Sequence, residues 1–482
     1  MRVLHVGWGF WPWRIGGLIH YADDLMAAQV ARGDEVAYFF AGRHYARPRR
    51  SRVKRWRNRG VAMYELVNGP IVSGLELGTR RPALDVDEPR SEEAFRSVLR
   101  SFRPDVVHFQ ELLCLPSSLI DVAADAGVPT VMTLQDYGPL CTTLRLFDAD
   151  GQICTRLRVG EDCAVRNARA PASRRPFVED TLRHDIPIWR HRLRGHRWPR
   201  RFDRLTERVT DWSLRKVDAE EPLPGETSPA AFQRRRDVNV ERLGRVGRLV
   251  AQSPRVGEIY RARGVAPERM TTFPFTLAHI ERLRPRSLGS PPDTLTFTTL
   301  GGCASPTKGS NVIVGALREL RETGLEGRFR LLVYGGIHGD VRAELESFEG
   351  VELPEMYPPG ELDSILDAVD VGIMPSIWEE ALGYTGLEMV AKGIPLIANP
   401  LGGIVEYARE GETAWHNHSC SGEGLAEVMA TLITEPERVV DMHRSTVAAR
   451  DRVVPAMDDH VRAIYGAYRA AGGASPAADP LP

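Results

Sequence analysis

Short apolar runs recur along this chain, each followed by a glycine-bearing loop and then by apolar residues three and four positions apart. Residues 2–6 read as a strand, 7–17 as a loop rich in Gly and Trp, and 18–31 as a helix on the spacing of Tyr21, Leu25 and Ala28. Gly33 ends that helix before a strand at 35–40, which completes a βαβ opening. A buried strand at 105–109, a helix at 116–126 and a strand at 130–134 continue the alternation. A helical stretch rich in Arg and Trp then runs to about residue 216. The polar segment 219–239 is expected to be a mobile loop, 245–253 a helix end and strand, and 256–263 a helix. After a Ser/Gly/Pro segment at 287–293, the best linker candidate, the pattern restarts. It gives a strand at 295–300, a Gly-rich loop, a helix at 311–323 and a strand at 329–334. An apolar run at 369–374, a loop, a helix start and a strand at 395–398 follow. The Ala/Gly/Pro-rich residues 471–482 are expected to be disordered. Two α/β halves emerge.

Composition agrees with that division. At 482 residues, the chain calls for two domains of roughly 200 residues each. An apolar fraction of 43% with 26% charged residues is that of a soluble globular enzyme. The net charge of −1 gives no electrostatic case for nucleic acid. No apolar run reaches the roughly 18 residues of a membrane span, and the N-terminus lacks the pattern of a signal peptide, so a cytoplasmic location is expected. The six cysteines form no CxxC pair and read as free thiols. Zinc at Cys141, Cys154 and Cys163 is the minority reading, because three thiolates without a CxxC hairpin fall short of a closed site.

Two basic stretches stand out. Residues 43–59 hold eight Arg and one Lys, and the pattern alone does not decide between an anionic or membrane-surface contact and a solvated face. In 174–215 Arg is interspersed with Trp189, Trp198 and Trp212. Their partly helical spacing favours a solvated face whose tryptophans pack inward. His5 and His416 read more readily as core or rim histidines than as ligand contacts.

Candidate chemistry concentrates on three loops. Glu380 and Glu388 are separated by seven residues, flanking a Gly-containing turn between two apolar runs. That places one acid on a βα loop and the other on the following helix, where a parallel sheet binds ligands at its carboxyl edge. Two acceptors so placed suit sugar hydroxyls and a ribose diol. Gly16 and Gly17 open the first helix, whose free amides favour an anion. Residues 301–309 put Gly302 and Lys308 on the first loop of the second half. A lysine about 4 Å from a phosphate is worth about 4 kcal/mol at an effective dielectric near 20, before desolvation.

The stretch from Pro375 to Ala398 resembles the nucleotide-sugar signature of retaining glycosyltransferases with the GT-B fold, the family-four type also called glycosyl transferases group 1. The resemblance covers about residues 1–42, 103–165 and 245–450. It implies two Rossmann-like doubly wound domains facing a cleft. Residues 1–284 would bind the acceptor, with the helix at about 453–470 packing back on them, and 285–452 would bind the nucleotide sugar. It implies donor contacts at Gly16, Gly17, Gly302, Lys308, Leu382, Gly383, Tyr384 and Glu388, with Tyr357 facing the nucleobase. Lys308, Glu380 and Asp136 are the catalytic candidates, and His20, His108, Gln110 and Gln135 the acceptor side. Two positions depart from the family pattern. Cys303 stands where a second cation is usual, and Gln135 replaces a histidine that could carry a proton.

The expected reaction transfers a sugar with retention, the departing diphosphate being stabilised by Lys308 and able to take the acceptor proton. Partners are a nucleotide-sugar donor and a glycan or small-molecule acceptor. No cofactor or metal is expected. The composition hints at a GC-rich bacterial source, and so at polysaccharide or specialised-metabolite biosynthesis. The rivals are a phosphorylase or epimerase on the same fold, and a non-catalytic partner.

Overall fold

The computed structural model describes residues 1–73, 77–148, 151–192, 199–220, 222–223, 225–354, 357 and 359–472. Eight strands form the first sheet: β1 (Arg2–Gly7), β2 (Glu35–Ala41), β3 (Arg52–Asn58), β4 (Val61–Val67), β5 (Val106–Phe109), β6 (Thr130–Leu134), β7 (Arg248–Ala251) and β8 (Met270–Thr272). Their order is β3-β4-β2-β1-β5-β6-β7-β8, parallel throughout except for the antiparallel β3–β4 edge pair. The second sheet contains β9 (Leu295–Leu300), β10 (Phe329–Tyr334), β11 (Val351–Glu352), β12 (Val371–Met374), β13 (Leu396–Ala398) and β14 (Ala414–His416). It is wholly parallel, in the order β11-β10-β9-β12-β13-β14.

Central strands β1, β5, β6, β9 and β12 are buried almost end to end, as expected where helices cover both faces of a parallel sheet. The helix Pro89–Phe102 shows how such cover is built. Glu88 caps it by accepting from the amides of Arg90 and Ser91, while Phe95, Val98, Leu99 and Phe102 form its buried stripe. In each sheet the chain moves outward from a central strand in one direction and then in the other. The reversal falls at β1/β5 in the first sheet and at β9/β12 in the second. Loops after those strands diverge and leave a crevice.

Two expectations need revision. Residues 219–239 are not a loop throughout, since a helix spans Pro229–Leu243 behind a Ser228 cap. Its polar sequence is explained by buried cations: Arg235 donates to Asp85 and the Gly138 carbonyl, and Arg236 to the carbonyls of Leu140, Arg156 and Leu157. Trp212 is 46% exposed, so it does not pack inward. The Trp189 side chain and Trp198 lie outside the described residues, as does the tail from 473 onward. Much of the basic stretch 43–59 is the edge strand β3, whose outward charges discourage pairing with another chain. Arg43 is instead buried, bound to Glu65 and Asp185.

The chain returns to the first domain at its end. Helix Met457–Ala470 packs against β6 and β7, and its Tyr468 hydroxyl meets Gln29 and His108. Among the described residues no helix is long and apolar enough to cross a membrane.

Candidate active site

Two loops of the second domain carry the charged centre. The loop after β9 ends in a single turn, Pro306–Lys308, and then Gly309 at φ 96°. A Cβ at Gly309 would lie 2.1 Å from the Pro375 carbonyl oxygen, so only glycine lets this loop press on the one after β12. The contact brings Lys308 Nζ within 2.5 Å of Glu380 Oε1. The same oxygen accepts from Ser376 Oγ at 2.7 Å and from the Trp378 indole at 2.9 Å. Burial alone would raise the Glu380 pKa, but the Lys308 charge and the donors around it outweigh burial and hold it below the ordinary value. An anionic Glu380 thus fixes an adjacent cation.

A second cation arrives from the first domain. The loop after β6 turns back on itself through a Tyr137 amide to Leu144 carbonyl bond, and the next residue, Arg145, reaches across the cleft. Its Nη1 donates to Ser305 Oγ at 3.0 Å and also to Thr307 Oγ1. Arg145 and Lys308 both stand over the Trp378 ring, at 5.4 and 5.3 Å. Cys303 is fully buried in the second domain's core, and burial pushes its thiol up to about 12. Arg145 carries no signal in the sequence, because nothing in the local pattern marks which loop faces the cleft.

Between the sheets lies a cavity of about 440 Å³ whose wall includes Arg145, Lys308, Trp378 and Glu380. Gly16, Gly17, Gly302, Leu382, Gly383, Tyr384, Gln135 and Asp136 also line it. Gly16 adopts φ 122° ahead of the helix Gly17–Ala31, and a Cβ on Gly17 would sit 2.6 Å from the Tyr384 ring. Gly383, at φ 79°, caps the helix Tyr384–Ala391 and aims its first turn at the cavity.

Residues 285–447 match the family Glycosyl transferases group 1, and residues 16–193 match the Glycosyl transferase 4-like domain. The chain thus pairs a glycosyl transferase 4-like domain with a group 1 glycosyl transferase domain. A D-inositol 3-phosphate glycosyltransferase of Corynebacterium aurimucosum is 31% identical over 35% of this chain and 41% of its own length. The chain thus spans about two fifths of the curated relatives it matches. Among solved structures, a sucrose-phosphate synthase from Thermosynechococcus elongatus superposes with a TM-score of 0.62 at 15% identity, over 97% of this chain and 98% of that one. A UDP-forming α,α-trehalose-phosphate synthase from Burkholderia xenovorans, in complex with glucose-6-phosphate, gives 0.57 at 13% identity, over 98% and 100%. At these identities the likeness is one of fold, and the fold is GT-B: two Rossmann-like domains.

The remaining candidates fall into two neighbourhoods. Glu388 lies one helical turn beyond Tyr384 but outside the cavity wall, where it accepts from His279 Nε2 at 2.7 Å. Burial pulls the His279 pKa down, yet the bond and charge of Glu388 prevail and the net shift is upward. His20 feels the charges of Asp24, His279 and Glu388 and is not part of the cavity wall. Tyr357 lies near Glu388 and packs edge-on against Tyr334 at 5.4 Å. His279 was not singled out from the sequence, where a lone histidine before a short turn carries no signal.

On the first-domain wall, Gln135 accepts from Gln252, which also donates to the Tyr384 hydroxyl at 3.1 Å. Gln110 sits behind Gln135 and away from the cavity. His108 is fully buried, with ring nitrogens 2.8 Å from Tyr468 Oη and from Thr133 Oγ1, so it is a core residue rather than a ligand contact. Asp136 accepts the Gly138 amide at 2.6 Å, and among the described residues nothing donates to its Oδ2. Burial pushes its pKa up to about 6. Glu111 accepts the Trp8 amide at 2.5 Å, has a second oxygen without a partner among the described residues, and is pushed up to about 8 by burial and by the Asp136 charge.

Proposed function

We propose that this chain transfers a sugar from a nucleotide-diphosphate donor to an acceptor hydroxyl, with retention at the anomeric carbon. The observation that carries the reading is the convergence of Lys308, Arg145 and Glu380 on one cavity at the strand reversal of the second sheet. The diphosphate lies against the two cations and the first-turn amides of the helix Tyr384–Ala391, while Glu388 and His279 take the ribose. Glu380 orients the donor sugar and holds Lys308 in place. As the bond from C1 to the phosphate oxygen breaks, the acceptor oxygen bonds to C1 from the same face and its proton passes to the departing phosphate. Asp136 and Gln135 orient the acceptor. With two protein cations on the leaving group, the transfer needs no metal there.

The relatives support a donor of this class. One is called UDP-forming, and another is named for transfer to an inositol phosphate. Donors of this kind are cytoplasmic metabolites, and there we place the reaction, in bacterial polysaccharide or specialised-metabolite biosynthesis. The test is a panel of nucleotide-diphosphate sugars with and without sugar acceptors, read by nucleotide release and by the anomeric configuration of the product. Slow donor hydrolysis and an axial-to-axial or equatorial-to-equatorial outcome support the assignment. Release of a sugar 1-phosphate in the presence of phosphate would make the chain a phosphorylase, and conversion of the donor sugar an epimerase. Neither turnover nor a nucleotide-induced rise in melting temperature would leave a non-catalytic partner.

A further inference from the structure

Far along the second sheet, at its edge strand, three side chains unconnected with the cavity meet on one point. Glu410 stands on the turn before β14, His416 ends that strand, and His418 follows two residues on. Among the described residues this is the sole group of three His, Cys or acidic side chains whose donor atoms all lie within 4.8 Å of one another. The Cys141, Cys154 and Cys163 thiols do not form such a group.

The hydrogen bonds make this more than a surface ion pair. His416 Nε2 lies 2.8 Å from the Ala408 carbonyl oxygen, which can only accept, so Nε2 carries a proton. In a neutral ring the Nδ1 lone pair then faces Glu410 Oε2 at 2.8 Å, lone pair against lone pair. A cation there resolves that opposition, either a proton on Nδ1 or a metal ion, and the second imidazole on the same oxygen suits the metal. His418 Nε2 lies 3.1 Å from the same oxygen, and the two imidazoles are held 5.5 Å apart. The His416 amide donates to Glu410 Oε1 at 3.2 Å, which orients the carboxylate. A carbonyl behind a ligating histidine is the usual arrangement that fixes its tautomer around a metal. Opening the two nitrogen–oxygen separations to about 3.4 Å gives a tetrahedral ion about 2.1 Å from each donor, with the fourth position open to water.

We propose that Glu410, His416 and His418 form a structural site for a divalent ion of the zinc class. Two imidazoles and one carboxylate suit zinc, cobalt or nickel better than magnesium or calcium. The ion would pin the turn between Ala408 and His418. The neighbouring Tyr407 hydroxyl donates to the Gly383 carbonyl at 2.6 Å, so the pinned turn supports the loop that caps the helix Tyr384–Ala391.

The test uses the full chain without a histidine tag, freed of metal by chelator dialysis and titrated with zinc chloride or cobalt chloride near neutral pH. One ion per chain, a tetrahedral cobalt absorption and a zinc-dependent rise in melting temperature are expected. His418→Gln, at a side chain 75% exposed and therefore neutral for folding, should weaken binding by roughly tenfold or more, as should Glu410→Gln. Absence of stoichiometric binding overturns the proposal. So does binding that survives both substitutions, or that is abolished by Cys163→Ser. None of these readouts depends on sugar transfer.

Discussion

At the scale of single residues, the site depends on one buried anion holding one cation while a second is lent by the other domain. Removing Lys308 leaves Glu380 charged and buried without its partner, and leaves the leaving group one cation short. Lys308→Ala is therefore expected to lower kcat by about 100- to 1,000-fold while changing the donor KM far less. Arg145→Ala should cost roughly tenfold or more, and Arg145→Lys should not restore it, because the shorter side chain with its compact ammonium loses the guanidinium's reach across the cleft and its stacking on Trp378. The two losses should combine to less than their product, since both groups serve one phosphate. An Arg145→Ala enzyme with unchanged kinetics would remove Arg145 from the site. Glu111 makes a separate prediction. Its side chain loses a proton near pH 4.5 when unfolded but keeps it to about 8 in the fold. Folding therefore takes up a proton between those limits, and stability falls as pH rises through them, by at most about 1.4 kcal/mol per pH unit. Glu111→Gln should flatten that slope in urea midpoints measured across the interval, with the wild type losing ground toward its alkaline end.

Elements were legible in the sequence wherever burial is symmetrical. The strands β1, β5, β6, β9 and β12 are covered on both faces, so each reads as a run of mostly apolar and β-branched residues, and the glycines after β9 mark the reversal loop directly. The strand β3 was illegible because an edge strand is decorated with Arg and Lys, which mask its alternation. The helix Pro229–Leu243 was illegible for the opposite reason: its buried face carries Arg235, Arg236 and Asn239, partnered by carbonyls no sequence pattern announces. Lys308 and Glu380 were readable from loop position, but Arg145 and His279 were not, because their roles come from a distant element folding over them. The helix starting at Gly17 offers a test at this scale. Its first turn touches the Tyr384 ring with no room for a side chain. Gly17→Ala should displace that ring and weaken nucleotide-diphosphate binding by roughly tenfold with little change in melting temperature, measurable by calorimetric titration.

The whole molecule is tied together by contacts that skip across the chain. Arg255 of the first domain binds Glu379 of the second at 2.5 Å, beside the Gln252–Tyr384 and Arg145–Ser305 contacts that flank the cavity. The last helix closes the opposite side. There the Tyr468 hydroxyl accepts from Gln29 and lies 2.8 Å from His108, residues 439 and 360 positions away in sequence. Both partners are buried, and removing the hydroxyl leaves the Gln29 donor and a His108 ring nitrogen each short of a partner, at about 1–3 kcal/mol. Tyr468→Phe should therefore lower the unfolding midpoint by several degrees. His108 also approaches Gln110, which accepts from the cavity residue Gln135, so the same polar chain runs from the last helix to the acceptor wall. A purely structural tether predicts a lower midpoint with acceptor KM unchanged. A coupled chain predicts that both move together, because Gln135 would lose the support that orients it. The geometry favours coupling: Gln110 donates to His5 at 2.9 Å and receives Gln135 at 3.1 Å, leaving it no other described side-chain partner with which to compensate when His108 shifts. Tyr468→Phe is accordingly expected to raise the acceptor KM as well as lower the midpoint, and steady-state kinetics at a temperature well below unfolding separates the two effects.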